Sequence, residues 1–250
     1  MRIVVLSDIH GNLSALEAVL DELEEGGGAD KVWVLGDLAA FGPEPARSLA
    51  RIRTIPNAAV ISGNTDRYIV TGRRPKMAVA DKTAWKSIQR SLVQRDAGFA
   101  WTAGQLDYTD YEYLRGLPPE LRQEVDRFGR MIAFHGIPGD DETGLFPSTP
   151  DHVVLNALLD REGRLALCGH THLPMDRQVG GWRVVNVGSV GLPFDGDRRA
   201  SYVLLEFGAN GALDVAFCRV EYDVEAVIRK LRAPNAPWVE KALRAARPPS

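Results

Sequence analysis

What most constrains this chain is a recurring pattern: a short run of β-branched and apolar residues that stops abruptly at Asp, His, Asn or Gly. Residues 3–6 run into Ser7-Asp8-Ile9-His10-Gly11-Asn12, residues 31–35 into Gly36-Asp37, and residues 58–61 into Gly63-Asn64-Thr65-Asp66. Residues 130–134 end at His135-Gly136 and residues 165–168 at Gly169-His170-Thr171-His172. Unbroken apolar runs of this length read as strands buried on both faces. Between the first two runs Leu13, Leu16, Val19, Leu20 and Leu23 recur at helical spacing until Gly26-Gly27-Gly28, and residues 45–52 form a second helical stretch. The order βαβαβ predicts a mainly parallel sheet with right-handed crossovers. Each strand then delivers polar side chains at its end, to one edge of a sheet.

Residues 78–123 change character. Trp85, Ile88, Leu92, Phe99, Trp101, Tyr108, Tyr111, Tyr113 and Leu114 predict an inserted helical segment of two or three helices ended by Leu117-Pro118-Pro119. Its aromatics are expected in a core, with Trp101 or Tyr108 as the alternative substrate platform. Strands resume at residues 183–186, 201–207 and 213–219, the last two joined by the hairpin signal Gly208-Ala209-Asn210-Gly211. A late helix is expected at 224–232 and a loosely packed, Pro-bearing tail at 233–250. With 45% apolar residues, residues 1–250 can form one α/β domain around a substantial core.

Composition excludes several functions. Lys and Arg number 30 against 33 acidic residues, a formal charge of −3 without long single-sign blocks, so nucleic acid is not the expected partner. No stretch is long enough to cross a bilayer, and residues 1–6 are too short for a signal peptide. Cys168 and Cys218 each sit in an apolar run and read as buried strand residues, so a reducing cytoplasm is the expected location. Neither Gly-x-Gly-x-x-Gly after the first strand nor a P-loop is present.

The strand ends carry the chemistry. Asp8 and His10 lie two apart, as do His170 and His172; Asp37 adds a carboxylate, and Asn64 and His135 complete a second set. A mixed O/N donor set suits Mn, Fe, Zn, Co or Ni better than Ca or a thiolate-seeking metal. Seven donors exceed what one ion needs, so two divalent ions sharing Asp37 is the economical assignment, with Mn favoured. Taken singly, Asp37 could be a turn residue and Asn64 a left-handed turn residue. Two cations about 3.5–4 Å apart lower the pKa of a bridging water, so a bridging hydroxide could attack a substrate with no nucleophilic side chain.

The five motifs, in this order and each after a strand, resemble the calcineurin-like metallophosphoesterases over residues 1 to about 207. The resemblance implies a four-layer α-β-β-α sandwich with two mixed β-sheets. It implies one metal on Asp8, His10, Asp37 and His172 and a second on Asp37, Asn64, His135 and His170. Asn186-Val187-Gly188-Ser189-Val190-Gly191-Leu192-Pro193 looks like the Asn-Pro-Gly-Ser segment of the small bacterial and archaeal phosphodiesterases, with Val187 replacing the proline. Catalysis is expected to rest on Asp37, Asn64, Asp66 and His170, acting on a small-molecule phosphoester. Arg67 and Asn12 are the candidate substrate contacts, although Asn12 could equally cap the following helix. Arg198, Arg199, Asp195 and Asp197 read as loop residues and His152 as a surface residue at a helix start.

The sequence departs from the family at Thr65. Many members carry Gly-Asn-His-Asp or Gly-Asn-His-Glu, and that His protonates the leaving oxygen; a threonine cannot do so near neutral pH. This favours phosphodiesters or good leaving groups over alkyl monoesters. Dinucleoside-tetraphosphate hydrolases and Ser/Thr protein phosphatases are near alternatives, but both carry Gly-Asp-x-x-Asp-Arg-Gly where this chain has Gly36-Asp37-Leu38-Ala39-Ala40-Phe41-Gly42. A non-catalytic metal-binding scaffold on the same fold, as in the retromer subunit, is the alternative outside enzymes.

Overall fold

A computed structural model describes residues 1–74, 82–231 and 236–245. Its first sheet takes the order β10-β9-β1-β2-β3 and its second β4-β5-β6-β8-β7. In the first, β1 (Arg2–Leu6), β2 (Lys31–Val34) and β3 (Ala58–Val60) are parallel, and β9 (Ala200–Phe207) and β10 (Leu213–Val220) add an antiparallel hairpin. In the second, β5 (Gly129–Phe134), β6 (Leu165–Cys168) and β8 (Trp182–Asn186) are parallel, flanked by antiparallel β4 (Glu120–Val125) and β7 (Met175–Val179).

The period of two along β1 explains the layering. Ile3 and Val5 point between the sheets, where they meet Trp33, Leu35, Met131, Ala133, Leu165, Leu167 and Val185. Val4 and Leu6 point the other way, onto Leu16, Val19 and Leu23 of α1 (Leu13–Glu25) and Leu49 and Ile52 of α2 (Pro45–Arg53). The outer face of the second sheet is covered by α6 (Asp151–Ala157), whose Val154 packs with Phe134, Ala166 and Val184. Helix, sheet, sheet and helix are thus stacked in the expected four layers.

Four segments differ from the sequence reading. Residues 64–71, where no helix is expected and Asn64 alone reads as a candidate turn residue, form α3 (Asn64–Thr71). The inserted segment holds α4 (Lys82–Ala103) and α5 (Tyr108–Arg115), but its last residues belong to β4, where Leu121 and Val125 face inward from a polar alternation. Residues 78–81 lie outside the described residues. Strand β7 was not expected; it buries only Met175 and Val179. In the tail, residues 236–245 form α8 (Ala236–Ala245), whose Val239 and Leu243 are buried with Val227 and Ile228 of α7 (Val224–Lys230). Among the described residues no helix is long and apolar enough to cross a membrane.

Candidate metal centre

The parallel strands of both sheets end at the same seam. Asp8 and His10 follow β1, Asp37 follows β2 and Asn64 follows β3, while His135 follows β5 and His170 and His172 follow β6. The donors therefore come from two sheets, where the strand pattern alone pointed to one edge. Backbone bonds tie these loops together: the Asp8 amide donates to Gly36 O at 3.1 Å, that of His10 to Asp37 O at 2.8 Å, and that of Gly169 to His135 O at 2.9 Å. The His170 amide donates to Asp8 Oδ2 at 3.0 Å and joins the two sheets.

Five donors sit in the left-handed region: Asp8 (φ 54°), His10 (51°), Asp37 (55°), His170 (66°) and His172 (57°). Such strain persists where the surroundings over-determine it, and it clusters at functional sites. Glycines make room for it. A Cβ on Gly63 would lie 2.2 Å from Asp37 Oδ1, and one on Gly169 would lie 2.0 Å from Ser7 Oγ and 2.5 Å from Asp8 Oδ2.

Hydrogen bonding fixes which ring nitrogen faces inward. His10 Nδ1–H donates to Ala40 O (3.0 Å), His135 Nδ1–H to Leu35 O (2.7 Å) and His172 Nδ1–H to Leu192 O. Each then turns Nε2 inward. His170 is reversed: Nε2–H donates to Glu142 O at 2.9 Å and Nδ1 faces in. The inward nitrogens of His10 and His172 stand 3.2 Å apart, and those of His135 and His170 each stand 3.0 Å from Asn64 Oδ1. Asp8 Oδ1 is buried without a hydrogen-bond partner, 3.2 Å from His172 Nε2. Asp37 turns one oxygen to each histidine set, Oδ1 3.4 Å from His135 Nε2 and Oδ2 3.6 Å from His10 Nε2.

Lone pairs therefore face lone pairs, which is favourable only with cations or protons between them. Donor atoms of Asp8, His10 and His172, and again of Asp8, Asp37 and His135, all lie within 4.8 Å of one another. The residues fit a cation centre, and Asp8 as well as Asp37 stands at the junction of its two halves.

Residues 1–210 match the model of the calcineurin-like phosphoesterase superfamily domain. The chain belongs to this family. A metallophosphoesterase from Sphaerobacter thermophilus has the same architecture, with a TM-score of 0.74 and 28% identity over 99% of both chains. An uncharacterized protein of Methanocaldococcus jannaschii is 28% identical over 260 residues, 96% of each chain. A symmetrical bis(5′-nucleosyl)-tetraphosphatase of Vibrio campbellii is 28% identical over 137 residues, 48% of this chain and 51% of that protein.

Within this metallophosphoesterase frame the remaining residues have defined contacts. Asp66 turns both oxygens to backbone: it accepts from the amides of Asp37 (2.8 Å), Leu38 (3.0 Å) and Gly63 (2.9 Å). Asn12 caps α1, its Oδ1 accepting from the Ala15 amide at 3.1 Å while Nδ2 donates to Gly191 O at 2.9 Å. The capping role weighed in the sequence is thus the observed one. Arg67 makes a two-point pair with Asp141 (2.8 and 2.6 Å) and reaches Glu142 at 2.6 Å, so its guanidinium is held by carboxylates. Arg199 pairs with Asp197 at 2.6 Å, and Asp195 with Arg219. Thr65 donates its amide to Asp37 Oδ1 at 2.9 Å, and its hydroxyl is buried without a partner.

Three features were invisible in sequence. The carbonyls of Glu142 and Leu192 orient His170 and His172, and a carbonyl carries no residue-type signal. Phe194 stacks on His172 at 4.3 Å and 10° while half its surface stays exposed. Asn186 braces the His170 loop by donating to Gly169 O at 2.6 Å and Thr171 Oγ1 at 3.0 Å, a role its place in segment 186–193 does not reveal.

Charge balance follows from burial and proximity. Burial opposes ionisation of Asp8, but His172 and His135 hold it near 2; Asp37 is held well below the ordinary carboxylate range by His135, His10 and His170. Burial pulls His10 down to about 4. His135 goes the other way, because Asp37 and Asp8 outweigh its burial and lift it to about 10. Burial and the Asp37 charge push Asp66 up to about 7 against its amide donors.

Proposed function

We propose that the protein is a metal-dependent phosphoric ester hydrolase of the cytoplasm that prefers phosphodiesters. The observation that carries this reading is the convergence of buried carboxylate oxygens and ring nitrogens at one seam, where only cations or protons can hold them together. Asp8, His10, Asp37 and His172 would hold one divalent ion and Asp37, Asn64, His135 and His170 a second, with Mn favoured and Fe, Zn, Co or Ni able to take the same donors. When bound, such ions acidify water and offset the charge of a phosphoryl group.

The chain's own residues provide position. Carbonyls of Ala40, Leu35, Glu142 and Leu192 hold the four imidazoles in the tautomers that leave a lone pair inward. Asp66 acts as a positioning residue, fixing the backbone of Asp37. Thr65 offers a neutral hydroxyl where a proton donor would assist departure of an alkoxide, so esters whose leaving group departs as a stable anion are the better substrates.

The test is hydrolysis of bis-p-nitrophenyl phosphate and p-nitrophenyl phosphate with added Mn²⁺. The diester is expected to react faster. Inertness toward both in protein shown to hold two metals would point to a scaffold instead. The similarity to symmetrical bis(5′-nucleosyl)-tetraphosphatases favours a second reading, hydrolysis of a dinucleoside polyphosphate, and bis(5′-adenosyl) tetraphosphate in the same assay decides it.

A further inference from the structure

Beside the metal centre opens a cavity of about 770 Å³ with His135 in its wall. Its size is that of small-molecule sites, and so is its mixed character. Val70 from α3, Leu114 from α5, and Leu117 and Ile137 from the loops supply apolar surface. Three arginines, Arg67, Arg73 and Arg115, share the lining with Asp140 and Asp141; Asp140 is held by the Thr143 hydroxyl and by the amides of Glu142 and Thr143, and the partners of the arginines differ. Arg67 is taken by Asp141 and Glu142, and Arg115 pairs with Glu112 at 2.7 Å. Arg73 is exposed, and its bonds among the described residues run through its backbone: the amide to Thr71 Oγ1, and the carbonyl from Arg74. No carboxylate among the described residues pairs with its guanidinium. An apolar wall next to a metal-centre histidine, with Arg73 the lining arginine that no carboxylate pairs among the described residues, selects a ligand with an apolar-faced body and a negative group remote from the reacting phosphorus.

We propose that this cavity is a substrate subsite that takes nucleotide-like phosphodiesters carrying a second, remote phosphate, and that Arg73 grips that phosphate. The proposal rests on the hydrolase reading above. It makes Arg73 a specificity-determining residue outside the metal centre, on a loop where its replacement leaves the core packing intact. A planar guanidinium suits a phosphate in two-point contact, and one such charge-assisted contact is worth about tenfold in affinity or more.

Two esters with the same reacting bond make the test: the p-nitrophenyl ester of thymidine 5′-phosphate, and the same ester bearing an additional 3′-phosphate. In each, water adds to phosphorus, the P–O(aryl) bond breaks, p-nitrophenolate leaves with the electron pair and a proton passes to solvent. The wild-type protein with Mn²⁺ is expected to favour the 3′-phosphorylated ester by about tenfold in kcat/KM, chiefly through KM. Arg73→Ala should erase that preference without changing the rate on bis-p-nitrophenyl phosphate, and Arg73→Lys should keep much of it.

A calorimetric titration of metal-free protein gives a readout independent of turnover. Thymidine 3′,5′-bisphosphate should bind about tenfold tighter than thymidine 5′-monophosphate, and Arg73→Ala should abolish the difference. Equal kcat/KM on the two esters, or a preference that survives Arg73→Ala, overturns the subsite and leaves the hydrolase reading intact. No p-nitrophenolate from any ester by the metal-loaded protein overturns the hydrolase reading, while an Arg73-dependent calorimetric preference would still support the binding site.

Discussion

At the scale of single residues, Asp66 and Thr65 separate holding the site from performing chemistry. Asp66 satisfies three buried backbone donors, one of them the amide of Asp37, which is held in a strained left-handed conformation. Asp66→Ala would orphan all three and free the carboxylate that faces both histidine sets. We expect a loss of about 3 kcal/mol or more of stability, and metal affinity lower by about 10–100-fold, read by thermal unfolding and metal titration. A variant that lost turnover yet kept full stability and metal content would instead place Asp66 in direct contact with substrate. Thr65 makes the opposite case. Its hydroxyl is buried and unpartnered, so Thr65→Val removes an unpaid desolvation cost while its amide still donates to Asp37. Stability should hold or rise by up to about 1 kcal/mol and diester hydrolysis should be unchanged; a large fall in kcat would show that the hydroxyl takes part in the reaction.

At the scale of elements, the C-terminal helix reaches further into the molecule than its position in the chain implies. Leu243 and Val239 of α8 are buried against α7, and Trp238 meets the edge of Phe41 at 4.9 Å. Phe41 in turn lies 6.0 Å from the His10 ring, so α8 supports one wall of the candidate metal centre. Leu243→Ala should cost about 2 kcal/mol, seen as a fall in Tm of roughly 4–8 °C; a silent substitution would mean that α8 is dispensable. Val239, Ala242 and Leu243 stand at helical spacing, but Pro234, Pro237, Pro248 and Pro249 on either side and within the segment make it read as a loose tail. Strands β4 and β7 escape the sequence for another reason. Glu120, Arg122, Asp176 and Gln178 alternate with few apolar residues at sheet edges, so neither strand shows the continuous run that marked β1, β2, β5 and β6. Those central strands were legible because burial on both faces leaves an unmistakable pattern, and the donors at their ends were legible with them. Arg67 was not: the sequence shows a guanidinium near the site, while its capture depends on where the loop after β5 places Asp141.

At the scale of the molecule, the seam between the two sheets concentrates two carboxylates and four imidazoles where water has little access, so metal binding, proton binding and folding are coupled. In the metal-free protein Asp8 and Asp37 are already ionised and His10 is neutral, so these three have no proton to give up. His135, lifted to about 10, does, and the carboxylate neighbours of His172 raise it in the same direction against burial. A raised histidine pKa stabilises the metal-free fold fully below the ordinary imidazole value of about 6.5, and that contribution fades as pH climbs through the folded value. A cation must displace the same protons. Binding of Mn²⁺ near neutral pH should therefore release at least the His135 proton, and affinity should rise between about pH 7 and about pH 9. Calorimetry in buffers of different ionisation enthalpy measures the release. Since the metal binds the folded state, chelation should lower Tm, and most at the alkaline end, where affinity is highest and the ion pair that stands in for the metal is fading. Metal binding without proton release, at an affinity flat across this range, would mean that His135 is not among the ligands and that the cation lies elsewhere than the seam.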